Sequence, residues 1–304
     1  MKHFLTLTLL PMLATSSLRA VQAESFLIFE DGRFDRAWIV ASSASAIRYK
    51  ETEQAVGTKD LKRSAVQSIY ILDPPEFTEA MELFQGRKYA EAKDKFAAVA
   101  KEYKPINELP DNPATAAGFY EMECLRKLGD LDGLAQAMDS FQKQSLTREN
   151  QFRQIELNAM WEAVRKKDWS RLRNICTERL KERIPGSQRA QVGYCLALAL
   201  DAEGEIYPAI NAYNIAMTAD TGASEDLTRK AALNSMALYK KDPEVQSAIK
   251  LWGTKDENPN SAGQQRLFEA AALAELYELS LGGGTSLPAE HKDLLKYVAK
   301  VKVD

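Results

Sequence analysis

The sequence predicts an α+β protein that is mostly α: a small N-terminal β barrel or sheet, then an α-α superhelix of five to six helical hairpins. Three observations predict it. Between residues 24 and 72, short apolar runs and apolar-polar alternation at a period of two mark half-buried strands. From Glu76 onward the period lengthens to about 3.6, as amphipathic helices require. One spacing of apolar residues then recurs five times at near-constant intervals, the sign of stacked hairpins.

Residues 1–23 are expected to be a signal peptide. Lys2 and His3 make a short basic start, Phe4 to Leu13 an apolar run, and Ala14 to Ser17 a stretch of small residues. Val21-Gln22-Ala23 fits the small-x-small rule, which places cleavage after Ala23. The apolar run is far shorter than the ~20 residues that span a bilayer. Gln191–Leu200 is also too short to span and is expected to be a packed helix. The expected location is therefore outside the cytoplasm, periplasmic or secreted. There cysteines can pair. The chain has three, Cys124, Cys176 and Cys195, in no Cys-x-x-Cys spacing. All three fall on apolar helix faces, where packing is the default role. Cys176 and Cys195 lie on successive expected helices and are the candidate disulfide; the odd count leaves one cysteine over.

Residues 24–75 form the expected β domain. Ser25–Phe29 is a first strand, and Asp31-Gly32 a hairpin signal because glycine accepts positive φ. Phe34–Val40 and Ala46–Lys50 follow as strands, Gln54–Gly57 as a weaker one, and Ile69–Leu72 closes the set. Asp73-Pro74-Pro75 ends the sheet and starts a helix. So small a segment would lean on its neighbour. The order of strand, Asp-Gly-Arg turn, long strand, alternating strand and closing strand resembles small SH3-like or Sm-like barrels. That resemblance implies an adaptor or docking role. The RNA binding of some such barrels is not expected, because the segment has no basic stripe with stacking aromatics.

Residues 76–304 carry the repeats and their cap. The recurring triplets are Tyr89-Ala92-Phe96, Leu131-Leu134-Met138, Trp169-Leu172-Cys176, Ile206-Ala209-Tyr213 and Val245-Ala248-Trp252, their first members 42, 38, 37 and 39 residues apart. Offsets of three and seven put each triplet on one helix face. Turn residues precede them: Gly86, Gly129-Asp130, Lys167-Asp168, Gly204 and Asp242-Pro243. Gly86 with Tyr89, Ala92 and Phe96, and Gly204 with Ile206, Ala209, Tyr213 and Ala216, resemble the second-helix signature of tetratricopeptide repeats. Gly129-Asp130-Leu131 is similar to the turn that precedes that helix. The period exceeds the usual ~34 residues, which places extra length in loops, notably Lys104–Pro113; a HEAT-like array is the structural alternative. Gln264–Leu281 and Pro288–Val301, separated by Gly282-Gly283-Gly284, are expected as capping helices.

The resemblance implies a non-enzymatic scaffold or adaptor of the cell envelope that binds a protein or peptide partner through its first helices. Phe119, Glu123 and Arg126 are the contact candidates of the second hairpin, with Trp161 and Tyr194 in the next two; each also suits a core position. Arg171, Arg173 and Lys181 project from an arginine-rich third hairpin, which suits either a solvated surface or an acidic partner or anionic headgroups. Other classes are disfavoured. A net charge of −3 lacks the basic footprint of nucleic-acid binding. Two histidines, one of them in the leader, leave only His291 for acid-base work or metal ligation. The triple glycine lacks a Gly-Lys-Ser/Thr ending, and no nucleophile elbow, His-Glu-x-x-His or dinucleotide fingerprint occurs. No cofactor, metal or catalytic residue is expected. The alternatives are an envelope hydrolase acting on cell-wall glycan through paired carboxylates, and a membrane-surface protein that is not integral.

Overall fold

The computed structural model describes residues 21–220, 222 and 224–298. The leader expected at residues 1–23 lies outside them, except for Val21, Gln22 and Ala23. Of these, Val21 and Ala23 are buried and Ala23 pairs with Ile39 as the first residue of a strand. The chain is mostly helical with one small antiparallel sheet, and it forms two compact units.

The first unit runs to Tyr120 and includes Gln142–Leu146. Its strands are β1 (Ala23–Ile28), β2 (Phe34–Ser42), β3 (Ala46–Lys50), β4 (Lys59–Lys62) and β5 (Ser68–Ile71), in the order β4-β3-β2-β1-β5 with every neighbour antiparallel. Gly32 takes φ 82° in the β1–β2 turn, as Asp-Gly predicts. Alternation holds along β1, where Ala23, Ser25 and Leu27 face inward. They join Ala37, Ile39 and Ile47 on the buried face. The strand expected at Gln54–Gly57 is instead a turn with Val56 fully exposed, and the fourth strand is the polar Lys59–Lys62. β4 is an edge strand whose charged side chains stay in water, with Asp60 paired across to Arg48. Such a strand needs no apolar alternation, and its lysines discourage further strand pairing.

The expected boundary at residue 75 does not coincide with the edge of this unit. Helix α1 (Pro75–Gln85), with proline at its first turn, α2 (Tyr89–Glu102) and the first half of α3 (Pro113–Leu128) belong with the sheet. β2 packs on the 3-10 turn Lys104–Ile106, and Arg63 donates to the Glu108 carbonyl at 3.3 Å. The loop expected between Lys104 and Pro113 is packed: Ile106, Leu109 and Asn112 are buried, and Asn112 accepts from the Thr115 N–H to start α3. Phe77, Phe84, Phe96 and Tyr120 form an aromatic core with ring separations of 5.4–6.3 Å.

The second unit comprises residues 121–141 and 147 onward. Its helices are the second half of α3, α4 (Leu131–Ser140), α5 (Glu149–Lys166), α6 (Trp169–Leu180), α7 (Gly186–Ala202), α8 (Ile206–Ala219), α9 (Glu225–Lys241), α10 (Pro243–Leu251) and α11 (Ala262–Leu276). A continuous apolar core runs from Met122 to Leu294. α7 is buried on nearly every side, as expected for a packed rather than a spanning helix. No helix among the described residues is long and apolar enough to cross a membrane.

Four of the five triplets have a common physical basis. Tyr89, Leu131, Trp169 and Ile206 are each the first residue of their helix. Two residues earlier the backbone turns left-handed, at Arg87 (φ 63°), Gly129 (78°), Lys167 (55°) and Gly204 (81°). The next residue has φ near −80° and ψ of 60–78° at Lys88, Asp130, Asp168 and Glu205. Four hairpins therefore share one turn. In the first of them Arg87, not Gly86, takes the left-handed position. The fifth differs: Asp242 and Pro243 start α10 directly, and Trp252 sits just past its end against Phe268 and Tyr297. The middle residues Ala92, Leu134, Leu172, Ala209 and Val245's partner Ala248 are all buried. At the C-terminus α11 runs into a π-helical turn, Tyr277–Leu281. The expected last helix is a 3-10 segment, Ala289–Tyr297, among the described residues.

Candidate functional site

Polar side chains are buried unevenly in the second unit. Arg126 on α3, Gln151, Gln154 and Asn158 on α5, Gln188 and Gln191 on α7, and Thr228 and Ser235 on α9 are all buried. Helices α4, α6, α8 and α10, apart from Tyr213, bury only apolar side chains among the described residues. A buried polar group costs free energy unless it is bonded. Among α3 to α10 these side chains fall on the first helix of each hairpin; elsewhere in the unit Ser224, Asp242, Gln264 and His291 are also buried.

Much of the first-helix face is a connected network. Glu123 accepts from Arg126 Nε and Nη2 at 3.2 and 2.9 Å. The Arg126 guanidinium lies 6.0 Å over the Trp161 ring. Trp161 Nε1 donates to Gln191 Oε1 at 3.0 Å. Gln191 and Gln154 exchange amide hydrogen bonds at 2.9 and 3.1 Å, and Gln154 also reaches Asn158. The Tyr194 ring lies 6.2 Å from Trp161 and 5.7 Å from Tyr213, and Asn234 donates to the hydroxyls of Tyr213 and Tyr194 at 3.0 and 3.5 Å. Lys127 on α3 reaches Asp226 on α9 at 3.4 Å, with both side chains about nine-tenths buried. The second oxygen of Asp226, Thr228 Oγ1 and Ser235 Oγ are buried without a hydrogen-bond partner.

Charge is concentrated at one end of this network. Burial opposes the charge of Arg126, yet the Glu123 carboxylate, by proximity and hydrogen bonding, leaves its pKa above the ordinary guanidinium value. Burial depresses Lys230, and the neighbouring Arg126, Arg229 and Lys127 depress it further, against the pull of Asp226. The arrangement can hold and orient a polar or charged chain segment. Among the described residues no group of three His, Cys, Asp or Glu side chains converges to hold a metal.

The structure gathers half of the eight contact residues expected from sequence. Glu123, Arg126, Trp161 and Tyr194 meet in this network, but as its buried wall rather than its exposed rim. Phe119 lies elsewhere, in the first unit, edge-on to Tyr120 at 5.4 Å. The amides Gln154, Asn158, Gln191 and Asn234, together with Lys127 and Asp226, escaped the sequence reading. Their signal was a polar residue at a core position, as with Gln191 between Ala190 and Val192.

The arginine-rich hairpin does not present its charges as one face. Arg165 pairs with Glu162 and Asp132, Arg173 with Glu203 and Glu205, Arg179 with Glu156 and Glu182, and Lys181 with Glu178. Arg171 is exposed. Cys124, Cys176 and Cys195 are buried and form no disulfide, so the candidate Cys176–Cys195 pair is unbonded in the structure. Cys176 instead points its thiol at the Met160 sulfur, 3.7 Å away.

Comparison with family models, with curated proteins and with solved structures gave no match.

Proposed function

We propose that this chain is an exported, non-enzymatic interaction protein whose hairpins form a tetratricopeptide-like solenoid, and that the first-helix face of the second unit receives a protein or peptide partner of the cell envelope. The observation that carries the proposal is that, among helices α3 to α10 of that unit, the buried polar side chains other than Tyr213 fall on α3, α5, α7 and α9. A stacked array needs only apolar seams for stability. Amides and charges held on one side of it are recognition groups, preorganised so that little ordering is required on binding. The hairpin turn shared by four repeats supports the solenoid. The strand order β4-β3-β2-β1-β5, with the first strand between the second and the last, supports an SH3-like docking role for the sheet. Export rests on the leader sequence. The matching of arginines to carboxylates on the third hairpin weighs against a membrane-surface role.

The test is in-cell cross-linking and pull-down with the wild-type chain and with Gln154→Met/Gln191→Met. That variant removes both amides of the central pair and leaves the Trp161 N–H without its acceptor, a cost of about 1–3 kcal/mol. The expected result is a folded variant that loses the wild-type set of partners. A folded variant retaining that set contradicts the proposal.

A further inference from the structure

A cleft in the first unit carries an inference that does not rest on the first-helix reading. It is a cavity of about 410 Å3 between the sheet and the ends of α1 and α2, within the roughly 300–1,000 Å3 typical of ligand pockets. Trp38 on β2 and its cross-strand neighbour Glu24 on β1 form one wall. The linker Leu72–Pro75 and Tyr103, just past α2, form another. Five carboxylates line it, Glu24, Glu53, Asp73, Glu76 and Glu102, and no lysine or arginine does.

Three of the five have local roles. Glu53 accepts from Gln54 Nε2 at 3.5 Å. Glu24 pairs with Arg36 at 2.5 Å. Glu76 lies in the first turn of α1, where the helix dipole favours negative charge. Glu102 is the reverse. It is the last residue of α2, the end at which the dipole disfavours a carboxylate. A broken local rule beside like charges is expected where function demands it. The rim also displays the chemistry of recognition in miniature, since the Arg36 guanidinium that bonds Glu24 lies 5.1 Å over the Trp38 ring.

We infer that this cleft docks a basic segment of a partner protein, taking a lysine or arginine side chain. The cationic head sits among Asp73, Glu76, Glu102 and Glu53, and the aliphatic stem lies on Pro74, Pro75 and Tyr103. Charge complementarity selects this occupant: aromatic and proline walls under an acidic rim match a side chain that is apolar along its length and positive at its end.

The test uses the chain from Val21 onward, which keeps Gln22 and Ala23 in the cleft wall, and a fluorescent peptide alternating Lys and Arg with Gly and Ser, blocked at both ends. Fluorescence polarisation is read for the wild type, for Asp73→Asn/Glu102→Gln, and for Glu178→Gln/Glu182→Gln, on α6 and just past it, as a charge-matched control. Both cleft positions are exposed, and matched thermal melts verify folding. The expected result is saturable, salt-sensitive binding that weakens about tenfold or more in the cleft variant and is unchanged in the control. Absence of wild-type binding, or equal weakening in variant and control, overturns the inference. Spermine competing as well as unlabelled peptide, charge for charge, also overturns it, because the site then takes a small polyamine. The pull-down with Gln154→Met/Gln191→Met reports only on the second unit, so failure here and failure of the first-helix reading are distinguishable.

Discussion

Burial decides the chemistry of the individual side chains. Loss of solvation pushes the Cys176 thiol up to about 12 and Cys195 well above the usual thiol range, so neither forms appreciable thiolate near neutral pH. The folded chain is expected to leave both unmodified by a thiol reagent at pH 8. In denaturant without reductant all three cysteines should titrate, and a count of one would mean that Cys176 and Cys195 had paired. Glu123, Arg126, Trp161 and Tyr194 were singled out by their places on the expected first helices, and the structure packs them together. The amides were not, because glutamine is a good helix former and unremarkable on a surface. Only the packing of α5 against α7 makes Gln154 and Gln191 buried partners. Phe119 misled because a large aromatic on a first helix fits a core as well as a contact.

Between elements, the hairpin turn provides a clean energetic comparison. Gly129 and Gly204 hold left-handed backbone with no neighbouring atom within 4 Å of an added Cβ. Alanine at either site should destabilise by about 1 kcal/mol or more through the backbone alone. Lys167 already bears that strain at φ 55°, so Lys167→Gly should be neutral or stabilising by up to about 1 kcal/mol. Urea unfolding midpoints of the three variants check both signs, and a stabilising alanine would refute the shared-turn account. The triplets predicted these second helices well because apolar spacing and helix start are local properties. The β4 strand, the C-terminal 3-10 segment and the limit of the first unit were not legible. An edge strand needs no apolar pattern. A last turn can tighten without changing its composition. The adherence of α1 and α2 to the sheet depends on contacts such as β2 with Lys104–Ile106 that no local pattern encodes.

At the scale of the whole molecule, the proposed readings give each unit its own recognition surface. In the second, α4, α6, α8 and α10 bury apolar side chains apart from Tyr213, and most of the polar network lies on α3, α5, α7 and α9. In the first, aromatic packing beneath α1 and α2 stabilises a cleft whose lining is acidic. The most direct test of the central claim is site-specific photo-cross-linking in cells with benzoylphenylalanine at position 230 or at position 174. Lys230 lies at the half-buried rim beside Arg126 and Asp226, and Asn174 is exposed on α6. The account predicts discrete protein adducts from position 230 and none from position 174. Adducts from position 174 alone, or identical adducts from both, would contradict it.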